Sequence, residues 1–421
     1  MNQKTGVNII GYINKKFGLG QAVRANISAI KTINVSLTVN NFKLNENEVE
    51  EILIESELNN PNPVNIIQIN FDKLPDLIRQ KEKSYFEKKY NIGFWVWETE
   101  NFPELAKVYF DFFDEIWTPS NFCVESISKK VKIPVFKVPH PVEFEYEKYT
   151  KEVKNEKFRF LTMFDYNSSI NRKNPFGVIE AFENVFGKNN TNVELIIKTS
   201  LSNGFENQKN KIIEFTKSNQ SIKVIEELLS QDELYSLIGS CDCFISLHKS
   251  EGFGLTMAEA MLLKKPVIAT AYSGNTDFMN INNSLLVKYD FEKIGKNYYF
   301  NEEEDYWAKP DLIDASKKIK WVYENQKEAE QIGLVAHKYI KEKFNYNNIG
   351  DLISKRLKII EPLILAKENL ELDINYLKFE NDLLEEKVSK LVNLSCVKFK
   401  VKFKNMMNKL TGKNRKYIWE K

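Results

Sequence analysis

Two glutamates and two cations are the residues whose types and spacing best fit chemistry. Glu251 and Glu259 lie eight residues apart in the stretch HKSEGFGLTMAEAMLLKKPVIATAYSGNTD, which runs from His248 to Asp277. Gly252 and Gly254 follow the first glutamate, and the pattern predicts a helix starting near Leu255. The glycines let the backbone approach a ligand closely. The helix N-terminus adds unpaired N–H groups and the positive end of a dipole, which suit phosphate. Glu251 then stands in the loop before that helix and Glu259 about one turn inside it. Two carboxylates at one helix mouth can accept hydrogen bonds from two hydroxyl-bearing parts of one ligand, such as a sugar and a ribose. Arg172 and Lys173 immediately precede a second predicted helix, with Asn174 as its cap and Pro175 at its first position. Two cations beside a helix end suit a diphosphate, with Arg bidentate and Lys as a point charge.

Short apolar strand candidates alternate with helix candidates in two sets, the pattern of parallel α/β domains. The first set is Val7–Ile13, Val35–Asn40, Asn65–Asn70, Ile92–Glu98 and Glu115–Thr118, ending near Val135–Pro139. The second is Phe158–Asp165, Val193–Thr199, Ile222–Ile225, Asp242–Leu247, Pro266–Thr270 and Leu285–Lys288. The glutamate pair therefore begins at the carboxyl end of a strand, where open parallel sheets hold ligands. Ser230 with Glu233 three residues on predicts a capping box. The expected organisation is a first α/β domain over 1–140, a linker over 141–157 and a second α/β domain over 158–308. Closing helices over 309–362, a coiled-coil helix over 363–395 and a basic amphipathic tail over 396–421 complete it.

The chain of 421 residues, 43% hydrophobic with a net charge of +2, has material for large cores and is not a disordered or collagen-like sequence. No apolar run of 18 residues exists to span a membrane as a helix. The start, MNQKTGVNIIGYINKKFG, lacks the pattern of a secretory signal. The four cysteines form neither a disulfide framework nor a zinc spacing, so a reducing, cytoplasmic setting is expected. Cys396–Lys421 carries nine Lys/Arg against the single acid Glu420, a local +8 within a chain of +2, so the rest carries −6. This asymmetry argues against nucleic acid as a partner and for a tail that seeks an anionic surface. Phe399, Phe403, Met406, Met407 and Leu410 fall on one side of a helix there, an imperfect pattern suited to an anionic membrane face or to a solvated tail. Leu363, Leu370, Leu377, Leu384 and Leu391 recur every seven residues, with Asn381 among the other core positions. That is the pattern of a parallel dimeric coil, or of one amphipathic helix packed on its own domain.

The block Ser-Glu-Gly-Phe-Gly, Ala-Glu-Ala, Lys-Pro-Val-Ile-Ala-Thr closely resembles the E-x7-E signature of retaining glycosyltransferases of glycosyltransferase family 4, which have the GT-B fold. GVNIIGYINKKFGLGQAVRANISAI is similar to that family's first strand, Gly-rich loop and first helix, and the resemblance spans about Gly6 to Ile360. It implies two Rossmann-like domains facing a cleft and metal-independent transfer with retained configuration, without a cofactor. The donor would be a nucleotide-diphosphate sugar, with a lean to GDP-mannose from likeness to bacterial surface-polysaccharide enzymes. The acceptor would be a glycan or lipid-linked saccharide, at the inner face of the membrane if the tail binds there. Lys173 aligns with the family's phosphate-binding lysine. The usual arginine is replaced by Ser168, a place that Arg172 can fill. The resemblance implies that Glu251 positions the sugar and Glu259 the ribose, while Arg172 and Lys173 stabilise the leaving diphosphate. Gly252, Phe253, Gly254, Leu255 and His248 would line the donor site, and Gly18 and Gly20 would face the cleft. Glu98 is expected on the acceptor side, where relatives commonly have His, and His140 belongs to the hinge. Two rival readings are a nucleotide-sugar epimerase of the same fold and a non-catalytic assembly subunit that works through its coil.

Overall fold

The computed structural model describes residues 6–43, 52, 54–81, 83–150, 156–295, 304–367 and 380–387. It divides into a body, Met1–Leu370, and a C-terminal segment, Glu371–Lys421, in which 380–387 are helical. Of the expected leucine heptads, Leu363 and Leu384 are described, and both are exposed. Leu370, Leu377 and Leu391, with the whole basic tail, lie outside the described residues.

The first sheet is built from β1 (Val7–Gly11), β2 (Leu37–Asn41), β3 (Val64–Gln68), β4 (Tyr90–Phe94), β5 (Glu115–Thr118) and β6 (Val135–Lys137). Their order is β2-β1-β3-β4-β5-β6, and every neighbouring pair is parallel. Between the strands run α1 (Gly18–Lys31), α2 (Leu74–Gln80) and α3 (Asn121–Ser128). Parallel strands covered on both faces are buried throughout, as β1, β3 and β4 are. Their polar residues are then forced to pair. Asn8, Asn65 and Asn91 stand in register on β1, β3 and β4, each amide donating to the next side chain at 2.9 Å. The ladder satisfies buried amides that would otherwise be costly.

The second sheet is built from β7 (Phe158–Phe164), β8 (Val193–Thr199), β9 (Ile222–Glu226), β10 (Cys243–Ser246), β11 (Val267–Thr270) and β12 (Leu285–Val287), in the order β12-β11-β10-β7-β8-β9. Its strands are parallel too, and the order reverses beside β7. The helices are α4 (Ile170–Lys173), α5 (Pro175–Phe186), α6 (Glu206–Thr216), α7 (Gln231–Ser240) and α8 (Leu255–Leu262). Asn174 caps α5 by accepting the Gly177 N–H at 3.2 Å, with Pro175 first. Ser230 and Glu233 form the capping box of α7. Two six-stranded Rossmann-like sheets in one body are the GT-B arrangement that the sequence led us to expect.

One feature was not foreseen. An antiparallel hairpin, β13 (Tyr289–Ile294) and β14 (Asp305–Pro310), follows the second sheet. Its first strand alternates aromatic and charged residues, a period-two signal inside a charge-rich stretch. After α9 (Leu312–Glu324) and α10 (Gln326–Lys343), α11 (Tyr346–Lys367) returns to the first sheet. Ile349, Ile353, Leu357, Ile360 and Ile364 pack with Val7, Ile9 and Ile92. The Arg356 guanidinium lies 3.4 Å over Phe136, and its Nε donates to Glu115 Oε2 at 3.1 Å.

Candidate active site

The carboxyl ends of β7 and β10 bring the cations and Glu251 together. Ser169, at φ 64, caps α4 by accepting the Arg172 N–H, and this one-turn helix ends at left-handed Asn174. The turn throws Arg172 and Lys173 toward the loop after β10. Lys173 Nζ lies 2.5 Å from Glu251 Oε1, and Arg172 Nη1 lies 3.3 Å from Oε2. Burial alone would raise the Glu251 pKa. Lys173 and Arg172 outweigh it and hold the carboxyl at about 2, so it is ionised at any working pH.

Arg172 is 3% exposed. Nη1 also donates to Ser250 O at 2.8 Å, and Nη2 pairs with Glu98 Oε1 at 3.5 Å. The guanidinium therefore props the Glu251 loop and reaches across to the first domain. Lys173, with a fifth of its side chain exposed, is the more available of the two for an anion. Glu98 sits in the loop four residues past the end of β4, not on a strand as expected. Burial raises its pKa, and Arg172 opposes the rise. One carboxylate from each domain thus shares a single buried guanidinium.

Glu259 lies at the other end of the site and is 1% exposed. Its Oε1 accepts from Gln21 Nε2 and, at 3.2 Å, from Tyr235 Oη, while Oε2 has no partner among the described residues. Burial dominates here and pushes the pKa to about 7, against the pull of the Gln21 and Tyr235 hydrogen bonds. Gln21 is held in place by the Gly-rich turn. A Cβ on Gly20 would stand 2.3 Å from Lys15 O, so the turn needs glycine. Gly18 opens α1 and is exposed. The loop expected to face the cleft meets the second domain through Gln21, a residue no local pattern marks.

The loop between the glutamates touches the first domain. Ser120 Oγ caps α3 through the Cys123 N–H and donates to Gly252 O at 2.6 Å. A Cβ at Gly252 would lie 2.3 Å from Val96 Cγ1. Gly254, at φ 94, starts α8 with no side-chain cap, leaving the first amides of that helix to other acceptors. Leu255 is half-buried at the helix start, whereas the Phe253 ring is buried against His140, Phe278 and Phe344. Sequence reasoning put His248 on the donor surface. The structure instead buries it completely beneath the loop. Its Nε2 faces the acceptors Tyr272 O at 3.2 Å and Asn275 Oδ1 at 3.0 Å, so Nε2 carries the proton, and Nδ1 accepts from Ser246 Oγ at 3.0 Å. Both ring nitrogens are used, and burial lowers the pKa, so His248 braces the site as a neutral ring. His140 is also buried, stacked on Phe94 at 5.3 Å, and burial lowers its pKa to about 3, so it is a neutral ring. Ser273 was missed. Its Oγ accepts the Glu251 N–H at 2.7 Å.

Among the described residues no His, Cys, Asp and Glu cluster is arranged to hold a metal, and no helix is long and apolar enough to cross a membrane. The arrangement offers an anion-binding end at Lys173, two carboxylates for hydroxyl groups and helix α8 between them.

Residues 148–338 match the family described as glycosyl transferases group 1. No curated protein matches the sequence. Many solved structures share the fold, among them the following three. HepE from Anabaena, in complex with UDP and glucose, is 12% identical with a TM-score of 0.62, over 84% of this chain and 99% of that one. Sucrose-phosphate synthase from Thermosynechococcus elongatus is 10% identical with a TM-score of 0.63, over 86% and 100%. A glycosyltransferase from Rickettsia africae is 16% identical with a TM-score of 0.60, over 87% and 99%.

Proposed function

We propose that the chain is a retaining GT-B glycosyltransferase of group 1 and that it moves a hexose from a nucleoside diphosphate sugar to a glycan or lipid-linked acceptor of a surface polysaccharide. The observation that supports this reading best is the cluster of Glu251, Lys173 and Arg172 at the carboxyl ends of β7 and β10.

In the reaction the bond between the sugar C1 and the diphosphate oxygen breaks, and its electron pair stays on the diphosphate. The acceptor oxygen bonds to C1 on the same face, and its proton passes to the departing diphosphate oxygen on that face. Negative charge grows on the leaving diphosphate, and a cation already fixed in place stabilises that charge without reorganising. Lys173 supplies it directly. Arg172 supplies field and holds the loop through Ser250 O. Glu251, ionised and facing the cleft, accepts hydrogen bonds from sugar hydroxyls, and the unpartnered Oε2 of Glu259 accepts one from the ribose. Backbone N–H groups at Phe253 and Gly254 contact sugar or phosphate. Glu98 lies on the acceptor side.

GDP-mannose is the donor to which the sequence leans, and UDP-glucose is the second candidate, because HepE holds UDP and glucose on this fold. A panel of UDP-, GDP-, ADP- and dTDP-sugars, followed by NMR for binding and slow donor hydrolysis, tests both. One donor turned over by the wild type and not by Lys173→Ala supports the reading, and binding of none by folded protein refutes it. The same proposal places the enzyme at the inner membrane face through 396–421 and pairs it through 363–395. Deletion of 396–421 is expected to abolish sedimentation with phosphatidylserine vesicles, and deletion of 363–421 to yield a monomer in light scattering.

A further inference from the structure

We propose that an aromatic shelf formed by Phe122, Tyr272, Tyr289 and Phe291 seats a sugar ring of the acceptor glycan against the cleft. The inference rests on the glycosyltransferase reading and adds where the acceptor is held. Four rings form a connected group: Phe122 to Tyr272 at 5.4 Å, Tyr272 to Tyr289 at 5.2 Å, Tyr272 to Phe291 at 5.8 Å, and Tyr289 to Phe291 at 5.5 Å. They come from three places in the chain: α3 of the first domain, the loop after β11, and hairpin strand β13. Phe291 is 59% exposed and extends the contiguous apolar patch formed with its three neighbours.

The hairpin is well anchored. Trp307 on β14 donates its Nε1–H to Glu292 at 3.0 Å, and Lys249 pairs with Glu292 and lies 5.0 Å over the Trp307 ring. The Ala308 N–H donates to Lys249 O at 2.9 Å, so β14 is bonded to the chain two residues before Glu251. Asp305, 1% exposed, accepts from the Asn101 N–H and Nδ2, both at 3.3 Å, which ties the hairpin to the first domain. An exposed phenyl ring on so fixed a support is presented for contact and not merely left over.

The chemistry of the shelf selects the occupant. A pyranose has an apolar face of C–H bonds and a polar edge of hydroxyls, so it stacks on aromatic rings while its edge seeks hydrogen bonds. The Tyr272 hydroxyl is buried and has no partner among the described residues. An unpaired buried hydroxyl is costly unless a ligand answers it. Burial, reinforced by the Glu100 carboxylate, raises the pKa of both Tyr272 and Tyr289, so both hydroxyls keep their protons. Position agrees: Tyr272 precedes Ser273, which holds the Glu251 amide, and the carbonyl of Tyr272 itself faces the His248 ring. A sugar on the shelf lies beside the loop that grips the donor, on the side where both domains contribute.

The test uses the full chain on an immobilised array of oligosaccharides built from glucose, galactose, mannose, N-acetylglucosamine and rhamnose, with calorimetry of nucleotide sugars run in parallel. Wild type is expected to bind at least one glycan, and Phe291→Ala and Tyr272→Phe to weaken that binding by about tenfold, the scale of one lost stacking or hydrogen-bond contact. Phe291→Trp should retain it, and nucleotide-sugar binding should stay unchanged in all three. Tyr272→Phe removes a hydroxyl that has no partner among the described residues, so a purely structural role predicts no loss. Array binding that is equal in wild type and variants, or absent from wild type, overturns the shelf. Absence of nucleotide-sugar binding in wild type would overturn the glycosyltransferase reading instead, through a separate arm of the experiment.

Discussion

Replacing Glu259 by Gln should make the protein's stability less dependent on pH, by an amount the structure fixes. The carboxyl is 1% exposed, and burial raises its pKa to about 7 from an ordinary value of 4.5. The raised folded-state pKa means that the stability it contributes is fully present below 4.5 and is lost as pH rises through about 7. At about 1.4 kcal/mol per pKa unit, this group alone removes roughly 2 kcal/mol between pH 5.5 and pH 8. Glutamine carries no proton to lose, so Glu259→Gln lacks that slope. Its amide must still replace the contacts to Gln21 and Tyr235, which sets a pH-independent offset of about 1 kcal/mol in either direction. Urea unfolding of wild type and variant at both pH values isolates the effect as a difference of differences, free of every other titrating group. A carbon-13 titration of labelled glutamate carboxyls, comparing the two proteins, reads the same pKa directly. A stability gap between the two proteins that is identical at pH 5.5 and pH 8 would refute the reasoning, because Glu259 would then titrate as an exposed carboxyl does.

Four further outcomes are expected. Lys173→Ala should lower donor turnover by about a hundredfold or more, as loss of a fixed transition-state cation does, with a smaller loss in Lys173→Arg; single-turnover kinetics on the donor identified by the panel measures both. Gly252→Ala would set a Cβ 2.3 Å from Val96 Cγ1 across the domain contact, so turnover should fall about tenfold or more, and Val96→Ala in the same chain should recover much of it. Asn65→Ala removes the middle of the amide ladder on β1, β3 and β4 and should lower unfolding free energy in urea by about 3 kcal/mol. Arg356→Ala leaves the fully buried Glu115 carboxylate without its cation, so a loss of about 3 kcal/mol is expected, with earlier hydrogen exchange in α11.

The sequence by itself determined the elements and the chemistry-bearing block. The strands at Glu115–Thr118 and Val193–Thr199 lie where the apolar runs placed them, and α8 begins at Leu255. Asn174 and the Ser230–Glu233 box cap the helices that follow them. These features are local. A run of β-branched residues, a cap and a proline act within one or two turns of chain, so their physics can be read in order. The glutamate pair and its glycines are local in the same sense.

The tertiary structure alone decided who meets whom. Glu98 and Arg172 are far apart in sequence and share one ion pair. Gln21 reaches Glu259, and Ser120 reaches Gly252 O, only because the two sheets face each other at those points. No periodicity encodes such pairings. The burial of His248 was equally hidden: a histidine one turn of chain from Glu251 reads as cleft lining. Only the positions of Ser246, Tyr272 and Asn275 show that both its nitrogens are already bonded. The return of α11 to the first sheet and the bridge from Asp305 to Asn101 are contacts of the same long-range kind. Sequence fixes what a residue can do within a few neighbours; its pKa, exposure and partners depend on the field and packing of chain segments hundreds of residues away.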